Sequence, residues 1–93
     1  MKNLNSRIGL LLWTAYTVYL KSNELTGRKK VKQALIKVTA ELEQAEIVNM
    51  ELILTTDGYY TVQYEYCGLQ IVKQIHRGNV SRINKQHVSD SNC

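Results

Sequence analysis

Ninety-three residues, 44% of them hydrophobic and 22% charged, describe a single globular domain rather than a disordered or multidomain chain. A chain of this length buries roughly 60–65% of its unfolded surface, so a modest core forms without staples. The net charge of +4 comes in blocks: residues 1–33 hold seven Lys/Arg and one acid, residues 34–69 one Lys and six acids, residues 70–93 four Lys/Arg and one Asp.

The first element is the apolar run Ile8–Leu20, which predicts a helix from about Asn5 to Lys21, capped by Asn3 or Asn5. Lys21 suits the negative pole at its C-terminus. Only Gly9, Thr14 and Thr17 interrupt the run, so this helix is apolar on almost every side. A surface helix of a small domain is apolar along one stripe only, and a second cover is therefore required. The run is too short for a bilayer, which takes about 20 residues. Lys2 and Arg7 ahead of it resemble a secretory leader, but no small-x-small cleavage site follows. The run is therefore expected to stay in the folded protein.

A second helix is predicted from about Arg28 to Val48. Its stripe of Val31, Leu35, Val38, Leu42 and Ala45, with Ala34 beside it, recurs at spacings of four and three. The short connection before it predicts an antiparallel helical hairpin. Ile36, Ala40 and Ile47 form a smaller patch opposite that stripe. The helix opens with Arg28-Lys29-Lys30-Val31-Lys32 and closes with Glu41, Glu43 and Glu46, the reverse of what the helix dipole favours. This cluster is a candidate phosphate site.

Three strands follow, over residues 49–55, 59–66 and 69–76. A three-residue turn at Thr56-Asp57-Gly58, with Gly58 left-handed, pairs Leu54 with Tyr60, Leu52 with Val62 and Met50 with Tyr64. A two-residue turn at Cys67-Gly68 pairs Tyr66 with Leu69, Tyr64 with Ile71 and Tyr60 with Ile75. One face is then continuously apolar, apart from Lys73 opposite Val62. The other carries Glu51, Ile53, Thr55, Thr61, Gln63, Glu65, Gln70, Val72, Gln74 and His76 and is expected to meet water. Arg77-Gly78-Asn79 reads as a turn. Residues 80–84 read as a short fourth strand or a helical turn, and 85–93 as a flexible tail.

The expected fold is α+β: an N-terminal helical hairpin packed on a three-stranded or four-stranded antiparallel β-meander, in one domain over residues 1–84. Cys67 and Cys93 have no CxxC or His neighbours, so free thiols in the cytoplasm are expected rather than a disulfide, a metal or a catalytic thiol. His76, His87, Lys73, Arg77, Arg82 and Lys85 hold the residue types of a ribonuclease, but no pattern makes them converge. No enzyme motif, cofactor site or metal spacing is present in the sequence.

The leading functional expectation is a non-enzymatic protein that forms a homodimer through Leu10, Trp13, Thr17 and Leu20, joined by Ile36, Ala40 and Ile47. An exposed edge at residues 49–55 is the alternative seam. A second reading is a nucleic-acid-binding regulator with phosphate contacts from Arg28, Lys29, Lys30, Lys32, Arg77, Arg82 and Lys85. A third is a small-ligand cleft between helices and sheet, rimmed by tyrosine hydroxyls.

Overall fold

The computed structural model describes residues 6–22 and 26–91, with side chains for 7–22 and 26–85. The proposed Asn3 or Asn5 cap, Cys93 and the His87 side chain lie outside these. The element order is α1 (Ser6–Lys21), α2 (Arg28–Gln44), β1 (Ile47–Thr55), β2 (Tyr59–Tyr66), β3 (Leu69–His76) and α3 (Arg77–Ser91). The sheet is an antiparallel meander in the order β1-β2-β3. All three helices form one layer on a single face of it. α1 lies in the middle, with α2 on its β1 side and α3 on its β3 side. The result is a two-layer slab 40 × 36 × 17 Å.

This arrangement answers the puzzle set by α1. No residue from Gly9 to Leu20 is exposed. Leu10 and Trp13 pack with Val38 and Leu42 of α2 and with Ile47, Val62 and Tyr64 of the sheet. Ala15 packs with Tyr60 and Val80, flanked by Leu11, Val18 and Ile83. The second cover is therefore α3 of the same chain. The Thr14 hydroxyl donates to the Leu10 carbonyl at 2.7 Å, so this fully buried polar group is satisfied within its own helix.

The spacing of Val80 and Ile83 selects the helical alternative for the residues after β3, and no fourth strand forms among the described residues. The helix continues through Ser91, across the stretch read as a tail. His76 starts it: the Gly78 amide donates to His76 Nδ1 at 3.0 Å. A Cβ at Gly78 would meet the His76 ring at 3.0 Å, so glycine leaves room for this cap.

α2 ends four residues earlier than the sequence suggests, at Gln44. Ala45 caps it, Glu46 turns left-handed at φ 67°, and Ile47 begins β1 instead. The β2–β3 register is the expected one in every pair, from Tyr66↔Leu69 to Tyr60↔Ile75. Cys67 and Gly68, at φ 52° and 82°, form the two-residue turn whose twist suits a hairpin.

The β1–β2 pair departs from expectation. Leu52↔Val62 holds, but the register shifts between Val48 and Glu51 and again between Leu52 and Leu54. Asn49 at φ 57° lies in the first irregularity. In the second, Leu54 pairs with Thr61 and Thr55 with Tyr60, not Leu54 with Tyr60. One inserted residue reverses the faces, so Leu54 shares the outer face with Thr61. Three residues separate these strands as expected, but Gly58 is not left-handed. The Thr56 side chain closes the turn instead, accepting from the Tyr59 amide at 3.2 Å and donating to the Tyr59 carbonyl at 3.1 Å.

Candidate functional site

The residues first expected at an interface divide. Leu10, Trp13 and Ile47 are buried inside one chain, at 4%, 8% and 3% exposure, and are core. Ile47 was read as helical, but it is the first residue of β1, paired with Tyr66. Thr17 and Leu20 are half-buried, while Ile36 and Ala40 are exposed on α2.

The cations divide as well. The Arg28 guanidinium turns back from the start of α2 and donates to the Leu20 carbonyl at 2.7 Å and the Ser22 carbonyl at 3.4 Å. It therefore neutralises the negative pole of α1 rather than waiting for an anion. The Tyr19 hydroxyl donates to the Thr26 carbonyl, tying the same corner together. Arg77 is also engaged. Its amide donates to the Gly58 carbonyl at 3.0 Å and its guanidinium to the Thr56 carbonyl at 3.0 Å. The guanidinium carbon lies 5.2 Å from the Tyr60 ring centre, a cation–π contact. Lys29, Lys30 and Lys32 remain exposed on α2, and Arg82 and Lys85 on α3, with α1 between the two helices. One folded surface therefore does not collect the two basic segments side by side.

An apolar area not yet assigned lies on the open face of the sheet. Ile53, Leu54, Tyr59 and Val72 are all among the exposed large apolar residues. The register sets Leu54 beside Thr61, Val72 beside Gln63 and Tyr59 beside His76. The Tyr59 and His76 rings meet edge to face, 5.5 Å between centres. Glu51 and Glu65 lie toward the other end of the same face, so it is acidic at one end and carries an imidazole at the other. Sequence reading placed Ile53 and Val72 here but missed Leu54, because no residue type announces the second bulge. Asn49, which tolerates a left-handed backbone, is the one signal for the first.

The β1 edge is poorly suited to strand pairing, because its two register shifts twist and interrupt the ladder. Cys67 is exposed, and its thiol donates to Glu46 Oε1 at 3.4 Å. That hydrogen bond, with smaller contributions from local desolvation and the Glu46 charge, pushes the thiol pKa up and disfavours the nucleophilic thiolate. No group of three or more His, Cys, Asp or Glu among the described residues could hold a metal ion. No helix among them is long and apolar enough to cross a membrane. A cleft at the edge of β3, between the openings of α1 and α3, encloses about 450 Å³.

No protein-family profile matches this chain, and no curated protein or solved structure shows significant similarity to it.

Proposed function

We propose that this is a small, non-enzymatic cytoplasmic protein that acts through protein–protein contact as a homodimer, using the open face of its sheet. The observation that carries this reading is the exposure of Leu54 and Val72, each 56% accessible, on a face that no described element covers. A second copy is the favoured occupant because the face is complementary to itself. A two-fold axis lying between the sheets and across the strands sets the Glu51–Glu65 end of one copy over the His76 end of the other.

The size of the face sets the strength. Three strands at ~4.8 Å spacing and eight residues at ~3.3 Å each cover only some hundreds of Å². Such an interface is at the small end for proteins, so micromolar association is expected. Light scattering behind a sizing column, over a range of loading concentrations and at low and moderate salt, tests this. A mass that climbs from monomer toward dimer with concentration supports the reading. A monomer mass at every concentration into the hundreds of micromolar rejects it.

The nucleic-acid reading keeps five exposed cations, Lys29, Lys30, Lys32, Arg82 and Lys85, but loses Arg28 and Arg77 to structural ties. It therefore ranks behind the dimer.

A further inference from the structure

The two edges of the sheet differ. β1 is interrupted by two register shifts, whereas β3 pairs with β2 through all eight of its residues without one. No described strand lies on the outer side of β3. The two-residue turn at Cys67-Gly68 makes Tyr66↔Leu69 a hydrogen-bonded pair, and such pairs alternate along an antiparallel ladder. Leu69, Ile71, Lys73 and Ile75 therefore direct their amides and carbonyls to β2. The Arg77 amide continues this alternation, donating to the Gly58 carbonyl at 3.0 Å. The amides and carbonyls of Gln70, Val72 and Gln74 point the other way, out of the sheet edge, and form a template for a further strand.

Side chains on the helix side of this edge set what that strand must carry. Leu69, Ile71 and Lys73 share the inner face with their partners Tyr66, Tyr64 and Val62. Leu69 is 67% exposed, Ile71 half-buried and Lys73 exposed. An added antiparallel strand meets these three in the close, non-hydrogen-bonded pairs, with Cα atoms about 4.5 Å apart. The charge here has one sign: residues 69–85 hold Lys73, His76, Arg77, Arg82 and Lys85 and no acid. α3, on the β3 side of the helical layer, exposes Arg82 and Lys85. Glu65, across from Gln70, stands on the open face of the sheet, away from Lys73.

We infer that the outer edge of β3 takes up an extended acidic segment of a partner protein as a fourth, antiparallel strand. Backbone hydrogen bonds to Gln70, Val72 and Gln74 hold it, apolar side chains cover Leu69 and Ile71, and a carboxylate meets Lys73. A second copy is a poor occupant. Its β3 would bring a like-charged edge against this one, and its β1, which carries Glu51, is interrupted by the register shifts. The edge bonds lie in the plane of the sheet, not on its open face, so the inference is independent of the proposed dimer.

The test is amide NMR and hydrogen exchange of the isotopically labelled full chain with the peptide acetyl-Asp-Glu-Thr-Val-Thr-Val-Thr-amide. Two controls replace both of its acids by lysine, or its first threonine by proline. The acidic peptide should give saturable shifts and slowed exchange at the Gln70, Val72 and Gln74 amides. The lysine and proline forms should each bind at least about tenfold more weakly. Val72→Pro removes the central outward amide and leaves the bonds to β2 in place, so it should abolish binding in a folded protein. Lys73→Glu, at an exposed position, should reverse the preference in favour of the lysine form, and it decides the matter should Val72→Pro fail to fold. Equal affinity for the acidic and lysine forms, shifts without slowed exchange at the three amides, or no saturable shift would each overturn the inference. Protection of these amides that grows with protein concentration in the absence of peptide would overturn it as well, by seating a second copy on the edge.

Discussion

Val62 and Val72 sit on neighbouring strands, one position apart in the register, and on opposite faces of the sheet. Val62 is 0% exposed beneath the helices and Val72 is 56% exposed on the far side. The same residue type therefore does two different jobs. Under the helices, apolar side chains from α1, α2, α3 and all three strands close on one another and supply the cohesion of the domain. On the open face, Leu54, Val72 and Gln74 stand exposed around Thr61, which its neighbours cover to 7% exposure, and no described element forms a layer over them. Apolar character alone does not make a core; the second layer does.

The largest effect is expected on the covered side. Trp13→Ala should cost about 3–5 kcal/mol, a large part of the stability of a domain this size, measured by urea denaturation. If Trp13 instead served a dimer, this substitution would change mass and leave the urea midpoint at infinite dilution unmoved. The valine pair sharpens the contrast. Val62→Ala should cost about 1–3 kcal/mol, while Val72→Ala should stay within about 0.5 kcal/mol of the parent. Equal costs would mean that the open face is packed in the monomer.

High pH should act through the covered side as well. Burial raises the pKa of Tyr64, which is in the core, and of Tyr16, which is half-buried against it. In the unfolded chain these phenols ionise near pH 10, whereas the folded chain holds their protons longer. Above about pH 10 the unfolded state therefore binds fewer protons, and stability falls as pH rises. Replacing Tyr64 by Phe should lessen the slope of stability against pH above that point. The smallest effect is a gain. Thr17 Oγ1 is buried with no hydrogen-bond partner among the described residues. Thr17→Val should raise stability by ~1 kcal/mol, seen as a higher urea midpoint.

The helical hairpin, the meander and the β2–β3 register were legible in sequence, because periodicities of 3.6 and 2 and a Cys-Gly turn encode them locally. The excess apolarity of α1 was legible too, but not its cover. Val80 and Ile83 give α3 only a short signal, and Gly78 in its first turn imitates a loop. Trp13 was misplaced because composition cannot distinguish a face covered by a partner from one covered by a later helix. Leu54 was misplaced because a single bulged residue reverses the faces, and the Ile53–Leu54 pair carries no local mark of it. Arg28 and Arg77 resembled phosphate ligands because their acceptors, carbonyls at Leu20, Ser22 and Thr56, become neighbours only on folding.

The most direct test of the open face is sedimentation equilibrium of two variants against the parent, Leu54→Lys on the sheet and Ile36→Lys on α2. Both positions are exposed, so both proteins should fold. Leu54→Lys should hold the protein at monomer mass at concentrations where the parent and Ile36→Lys associate. Loss of association in Ile36→Lys, with Leu54→Lys still dimeric, would place the contact on the helical layer and contradict the assignment to the sheet.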